Sequence, residues 1–532
     1  MKRLNYIVVA GLGLFIFAVM TQPMKAQNAR IKIDVDRIVG EVDSLIYGNF
    51  LEHLGRAVYS GAYDPDSPLA DEDGFRKDVI QAAKDLNVTQ LRYPGGNFVS
   101  NYHWQDGVGS DRVPRMELAW GRLESNEFGT NEFMQFTNKI GAKPYFAVNM
   151  GTGTMTEAQR WVEYTNVEEG PYYAELRKKH GYEEPWNIKY WSLGNEMDGF
   201  WQIGHLNAED YAKKARETAK VMQLTDPAIS LIAAGASNFR PDANPMHWNR
   251  VVLEELKNVV DYLALHIYVG NPDNNYYNFL STPLVLEERT ELVEGLIREI
   301  MSRADRGDRP SIKIAWDEWN VWYRARAGES MSGERALEER YNLEDALVVA
   351  GFLNAFVRNA DIVKMANMAQ LVNVIAPMYT NENDMFKQTI YYPLQLFSEH
   401  TYGTALDVYV DSETYDTERF FVGLGESQTQ QSDVPYLDVS ASYKDNGEVI
   451  INVVNRHKDK AITTDIISQK GKFTGGFKVY EVNGPDVKAQ NNFEETNVET
   501  EEKSSIQADG SKVTYSFPAH SYTLIKGKIT TD

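Results

Sequence analysis

The stretch that decides the fold is Ile188-Lys-Tyr-Trp-Ser-Leu-Gly-Asn-Glu-Met-Asp-Gly-Phe-Trp-Gln-Ile-Gly-His205. Ile188 to Leu193 reads as a buried apolar strand that stops at Gly194 and presents Asn195 and Glu196 at its C-terminal end. An acid in that position sits at the mouth of a parallel barrel, the face on which such barrels build their sites. A second stretch answers it. Ile312-Lys-Ile-Ala-Trp-Asp-Glu-Trp-Asn-Val-Trp-Tyr323 is again an apolar strand leading into a carboxylate, Glu318.

Working outward, short apolar strands alternate with amphipathic helices from Ser44 onward. The strands are Leu45 to Phe50, Val88 to Tyr93, Pro144 to Asn149, Ile188 to Leu193, Leu231 to Gly235, Tyr262 to Tyr268, Ile312 to Trp316 and Val363 to Leu371. Strands buried on both faces have to be continuously apolar, and eight of them with helical connections make a closed (β/α)8 barrel of TIM type. Phe75 to Leu86 and Ala208 to Leu224 carry apolar residues at helical spacing, the second after Asn207 as a cap.

At both ends the texture changes. Ile31 to Asp36 alternates apolar and polar, which predicts a half-exposed strand of an antiparallel sheet outside the barrel. Beyond Tyr379 the pattern is again short alternating strands. Leu437 to Tyr443 and Val449 to Val454 flank Asp445-Asn446-Gly447, a hairpin signal. The expected organisation is an N-terminal strand segment (27–43) joining a C-terminal all-β sandwich (380–532), jelly-roll-like, around a catalytic barrel (44–379). Gln490 to Ser505, polar and acidic, is expected to be an exposed loop.

Residues 1–26, with Lys2 and Arg3 before an apolar run from Tyr6 to Met20, have the layout of a secretory signal peptide. The expectation is a secreted or periplasmic protein that keeps no membrane anchor once the leader is removed. There is no cysteine, so no disulfide. The formal charge is −22, and removal of Lys2, Arg3 and Lys25 with the leader gives −25 (−22 − 3). Such a surface repels phosphate polymers and anionic lipids, which argues against nucleic-acid and membrane partners.

Glu196 and Glu318, at the ends of two strands of one barrel, suggest the carboxylate pair that cuts glycosidic bonds. Trp316, Trp319 and Trp322 are expected to surround Glu318, and a carboxyl buried against indoles needs a partner or a proton. Gly151-Thr152-Gly153 lacks the lysine and wider glycine pattern of a phosphate loop. No His-Glu-x-x-His, calcium-loop spacing or Gly-x-Ser-x-Gly appears.

These residues carry a resemblance. Gly48-Asn-Phe-Leu-Glu-His-Leu-Gly-Arg56, Leu91-Arg-Tyr-Pro-Gly-Gly-Asn-Phe-Val99, Gly194-Asn-Glu-Met-Asp-Gly199, His266-Ile-Tyr268, Asp317-Glu-Trp-Asn-Val-Trp-Tyr323 and Ala369-Gln-Leu-Val-Asn373 resemble, in this order, the α-L-arabinofuranosidases of glycoside hydrolase family 51. The match covers most of residues 45 to 375. It implies a retaining double displacement with Glu196 as general acid/base and Glu318 as nucleophile, their carboxyls roughly 5 to 5.5 Å apart. In the resting enzyme it expects Glu196 protonated and Glu318 ionised. It further implies that Glu52, Asn97, Asn195 and Gln370 hydrogen-bond the furanose hydroxyls, that His266 and Tyr268 line the pocket, and that Arg92 orients the nucleophile. Trp104, Trp120 and Trp322 are candidates for the platform under the rest of the substrate. Phe200 stands where many relatives of this resemblance have proline.

The implied activity is exo-acting removal of terminal α-L-arabinofuranosyl groups from arabinoxylan, arabinan or arabino-oligosaccharides, needing no metal and no organic cofactor, in a possible homo-oligomer. An endo-glucanase or xylosidase on the same scaffold, and a catalytically inactive sugar-binding barrel, are the alternatives.

Overall fold

A computed structural model describes residues 29–240, 242–325, 333–422 and 427–531. Its centre is a closed barrel of eight parallel strands in sequence order: β1 (Gly48–Phe50), β2 (Gln90–Tyr93), β3 (Lys143–Ala147), β4 (Tyr190–Leu193), β5 (Ser230–Ala234), β6 (Tyr262–Val269), β7 (Lys313–Val321) and β8 (Val363–Ala369). The lower barrel interior is an apolar layer of Leu45, Tyr145, Tyr190, Ile232, Ala264, Ala315 and Met365. Above it the inward side chains turn polar: Gln90, Arg92, His266, Asp317 and Asn367 are all buried. A packed floor beneath a polar mouth places the site at the C-terminal ends of the strands.

The helices begin where local chemistry satisfies their first amides. Asn207 accepts from the Asp210 amide at 2.8 Å to open Ala208–Thr225, and Glu209 and Asp210 in its first turn complement the helix dipole. Asn342 and Asp345 form a capping box at the start of Leu343–Arg358. Every residue of that helix from Leu343 to Val357 is buried, because it is sandwiched between two layers. Phe352 and Phe356 pack edge-on against Trp319 of β7. At its end Arg358 reaches Asp438 of the β domain at 2.6 Å.

The β domain is a seven-stranded antiparallel sheet facing a four-stranded one. Between them lies a separate core that includes Ile31, Ile33, Val449, Ile451, Val453, Ile466, Phe477, Val479 and Ile525. Leu437–Tyr443 and Glu448–Asn455 pair as the Asn-Gly hairpin predicts, with Tyr443 opposite Val449. Ala29–Ile33 joins the four-stranded sheet, and Ile38–Val42 edges the seven-stranded one.

Four expectations need correction. Ala29–Ile33 pairs antiparallel with Tyr409–Asp411 but parallel with Ile462–Ser468, so the period-two pattern gave its exposure and not its pairing. Glu499–Gln507 is a strand hydrogen-bonded to Lys472–Asn483, because an edge strand tolerates the charged residues that suggested a loop. A helix, Tyr391–His400, lies inside the segment read as all-β. The seventh barrel strand does not stop before Glu318 but continues to Val321. No helix among the described residues is long and apolar enough to cross a membrane.

Candidate active site

The geometry of β7 makes the site. From Ala264 to His266 on β6 is two residues, while the paired run from Ala315 to Glu318 on β7 is three. On the other side Ala366 to Met368 likewise faces Trp316 to Trp319. One extra residue therefore bulges β7 at its upper end, and a bulge breaks the in-out alternation of side chains. Asp317 and Glu318, neighbours in sequence, both face the interior, while Trp316 and Trp319 point outward into the helix layer. The expected ring of indoles around Glu318 thus reduces to Trp322, which lines the cavity.

Glu318, 5% exposed, accepts from Arg92 Nη1 at 2.6 Å on Oε1 and from the Tyr268 hydroxyl at 2.9 Å on Oε2. Arg92, at the top of β2, also donates through Nη2 to Asn195 Oδ1 at 2.6 Å, and its Nε lies 3.2 Å from Asp317. Flanked by two carboxylates, the guanidinium stays charged despite burial. Gly96 makes this approach possible: a Cβ there would stand 2.9 Å from Glu318 Oε1.

Glu196 follows β4 with its backbone in the left-handed region (φ 46°), an uncommon conformation for a non-glycine residue that turns its side chain into the mouth. Trp201 Nε1 donates to its Oε2 at 2.6 Å, and His266 Nδ1 lies 2.8 Å from its Oε1. Trp201 can fold back in this way because position 199 is glycine; a Cβ would meet its indole at 2.5 Å. The other His266 nitrogen is 3.1 Å from Asp317 Oδ1, and Asp317 Oδ2 accepts from the Tyr145 hydroxyl at 2.8 Å.

Desolvation works against ionisation of Glu196, but the hydrogen bond and charge of His266 outweigh it and hold the carboxyl below its ordinary value. His266 is pushed well above the usual histidine range: the carboxylates of Glu318, Asp317 and Glu196 override the desolvation that would neutralise it. Both directions run against the expectation that Glu196 is the protonated carboxyl of the pair at rest and favour the shared proton on His266.

Glu52, just beyond β1, accepts from the Phe98 amide at 3.0 Å and Trp120 Nε1 at 3.2 Å on one oxygen, and from Gln370 Nε2 at 3.2 Å on the other. Burial nevertheless pushes it up to about 8. Asn195 Nδ2 is buried without a hydrogen-bond partner among the described residues. Asn97 opens the short 3-10 helix Asn97–Asn101 and faces the same cavity.

That cavity, about 370 Å³, is lined by Glu52, Asn97, Glu196, Tyr268, Glu318 and Gln370 below and by Trp120, Phe200, Trp201, Arg240 and Trp322 above. Trp104 is not part of it. It is 1% exposed, lies parallel to Trp161 with centroids 6.0 Å apart and donates to the Glu157 carbonyl.

Facing carboxylate oxygens of Glu196 and Glu318 and the ring nitrogen of His266 lie within 4.8 Å of one another. The same three donors have metal-ligand spacing, but Arg92 on Glu318 opposes a second cation there. Two carboxyls this close, across a cavity of this size, fit the shorter of the two glycosidase spacings, the one used for double displacement.

Comparison with known proteins places the chain in a family. Residues 82–282 match the α-L-arabinofuranosidase 1 domain family and residues 317–521 the α-L-arabinofuranosidase C-terminal domain family. The chain is 40% identical over 517 residues to the intracellular exo-α-(1→5)-L-arabinofuranosidase 1 of Bacillus subtilis (strain 168), covering 94% of this chain and 99% of that one. The chain belongs to the α-L-arabinofuranosidases of glycoside hydrolase family 51.

Among solved structures, the arabinose complex of the Thermotoga maritima α-L-arabinofuranosidase superposes with a TM-score of 0.86 at 38% identity, covering 94% of this chain and all of that one. The exo-α-(1→5)-L-arabinofuranosidase of Halalkalibacterium halodurans is 42% identical over 449 residues, 82% of this chain and 86% of its own. It and the Bacillus enzyme are named intracellular, which overturns the secreted or periplasmic location read from the N-terminus. Residues 1–26, read as a signal peptide, lie outside the described residues.

Sequence reading missed Asp317 and Tyr145, and read Trp201 as part of a tight loop that could orient a sugar without its bond to Glu196. Asp317 stood beside Glu318 in the quoted motif, but strand alternation would send one of the pair outward, and no residue type announces the bulge. Trp201 had a signal: the glycine two residues before it.

Proposed function

We propose that this arabinofuranosidase removes single terminal α-L-arabinofuranosyl groups from arabinan, arabinoxylan or their oligosaccharides, with Glu318 as nucleophile and Glu196 as acid/base. The observation that carries the assignment is the approach of these two carboxylates to within 4.8 Å at the base of a pocket.

Glu318, paired with Arg92 and oriented by Tyr268, presents a carboxylate oxygen to the anomeric carbon. As the C1–O bond breaks, the leaving oxygen takes a proton from Glu196, which His266 has just supplied across 2.8 Å. Three carboxylates (Glu196, Asp317, Glu318) against two cations (Arg92, His266) keep that proton within the cluster. Once Glu318 is esterified it carries no charge. The proton balance then reverses: Glu196, ionised, takes a proton from water, whose oxygen attacks C1 and releases Glu318 with the anomeric configuration retained.

Glu52, Asn97 and Gln370 line the same volume with donors and acceptors suited to furanose hydroxyls, and Asn195 stands behind Gly96 at its edge. Asn195 Nδ2, buried without a partner, regains a hydrogen bond when a hydroxyl arrives. The test is proton NMR of the first product formed from an aryl α-L-arabinofuranoside. The α anomer is expected first; initial release of the β anomer would refute the assignment of roles.

A further inference from the structure

A second cavity, about 320 Å³, lies behind the hairpin of Arg115–Glu117 and Arg122–Glu124 and shares no lining residue with the catalytic pocket. Phe98 and Tyr102 give it an apolar wall. The charged groups around it already have partners. Asp106 accepts from Arg115 Nε at 2.9 Å and Nη2 at 3.1 Å, and His103 Nδ1 lies 3.0 Å from Glu157 Oε1. Glu117 accepts from the amides of Ala119 and Trp120, both at 2.6 Å. Glu124 accepts from the Asn126 amide at 2.8 Å and the Tyr59 hydroxyl, and faces His53 Nδ1 at 3.0 Å.

With each charge answered, the cavity holds no unsatisfied charge for an ion. What it leaves open is neutral hydrogen bonding. Asn126, 1% exposed, donates through Nδ2 to the Val113 carbonyl, while its Oδ1 has no partner among the described residues. His103 spends only Nδ1; its Nε2 makes no hydrogen bond among the described residues. A few unspent polar atoms beside aromatic rings are what a small polyhydroxyl ligand needs, hydroxyls on the first and C–H bonds on the second. Glu117 joins this cavity to the catalytic one. Its carboxylate lines the second cavity and also folds the turn that presents Trp120, whose Nε1 donates to Glu52 at 3.2 Å.

We propose that this cavity is a second binding site for a free neutral monosaccharide, the class of molecule the enzyme releases, and that its occupation stiffens the turn carrying Trp120. Asn126 and His103 meet the ring hydroxyls, and Phe98 and Tyr102 meet its C–H face. No bond is made or broken there, so the site stands apart from the roles given to Glu196 and Glu318.

The test is amide hydrogen exchange with L-arabinose as the probe, read at residues 98–106 and 122–127, none of which lines the catalytic pocket. A ligand of roughly ten non-hydrogen atoms at modest efficiency gives a Kd of about 5 mM. At about 50 mM L-arabinose, exchange in the wild-type protein should therefore slow about tenfold in these segments. Asn101→Trp, which fills the cavity, should abolish that slowing. His103→Ala, a change on a partly exposed side chain that guards against poor folding of the first variant, should reduce it to about threefold through one lost hydrogen bond. Residues 367–373, beside the catalytic pocket, should respond to L-arabinose alike in all three proteins. No saturable slowing in the wild type, or slowing unchanged in both variants, would overturn the proposal. So would equal slowing by sodium chloride at the same concentration, which would assign the cavity to an ion. Absence of any response at 367–373 would instead contradict the arabinofuranosidase reading.

Discussion

The floor of the pocket and its rim are built on opposite terms. On the floor Arg92, Asp317, Glu318 and His266 are all buried and bound to one another, so each side chain has one place to be. At the rim Phe200 is 71% exposed and Trp201 39%, on loops without regular secondary structure. A charged group taken out of water must be paired, and pairing fixes its geometry; an aromatic edge left in water is free to meet a variable partner. The difference separates the two proposed roles: bond cleavage belongs to the fixed floor, and contact with whatever the arabinose is attached to belongs to the exposed rim.

The comparison breaks most visibly at Asp317. Asp317→Asn removes the anion that Arg92 and His266 share, so kcat is expected to fall about a hundredfold. KM should change little, because Asp317 does not line the cavity, and the acid side of the pH profile should shift as His266 loses a charge partner. Steady-state kinetics between pH 4 and pH 9 check this. A large rise in KM with kcat kept would mean that Asp317 serves the sugar and not the proton.

At the rim the effect is smaller. Phe200→Ala is expected to raise KM for arabino-oligosaccharides about threefold, one aromatic contact's worth, and to leave kcat for the methyl glycoside within error. Inhibition by free arabinose should stay the same.

The smallest effect sharpens the floor. Glu52 has its folded pKa raised from 4.5 to about 8 by burial. Between those values the unfolded chain gives up the proton while the native state keeps it, so this group's contribution to stability is present at low pH and is lost as pH rises towards about 8. Glu52→Gln has no proton to lose. Its Tm relative to wild type should therefore climb between pH 5 and pH 8.5, by about 2–4 °C in differential scanning fluorimetry. A constant difference would mean that Glu52 is already ionised at pH 5.

The barrel was legible because its strands are continuous apolar runs that end in polar residues, and Glu196 and Glu318 stand where such runs give out. What sequence could not carry was side-chain direction. Trp316, Glu318 and Trp322 alternate as if on one face, yet one extra residue in β7 turns the first outward and brings Asp317 in. Trp104 has the composition of a sugar platform, but its neighbours across the fold, Trp161 and Tyr164, claim it for the core. The pairing of Ala29–Ile33 depends on a strand more than 400 residues away, and no local pattern encodes whether the two run parallel. The lowered pKa of Glu196 likewise comes from His266 on another strand.

The central claim, that Glu318 attacks while Glu196 handles the proton, is tested most directly by trapping. Glu196→Ala treated with an activated aryl α-L-arabinofuranoside, whose leaving group needs no acid, should accumulate a glycosyl ester, because its hydrolysis lacks a base. Peptide mass spectrometry should place one arabinosyl group on Glu318. An adduct on any other residue, or rapid turnover of natural oligosaccharides by the same variant, would contradict the account.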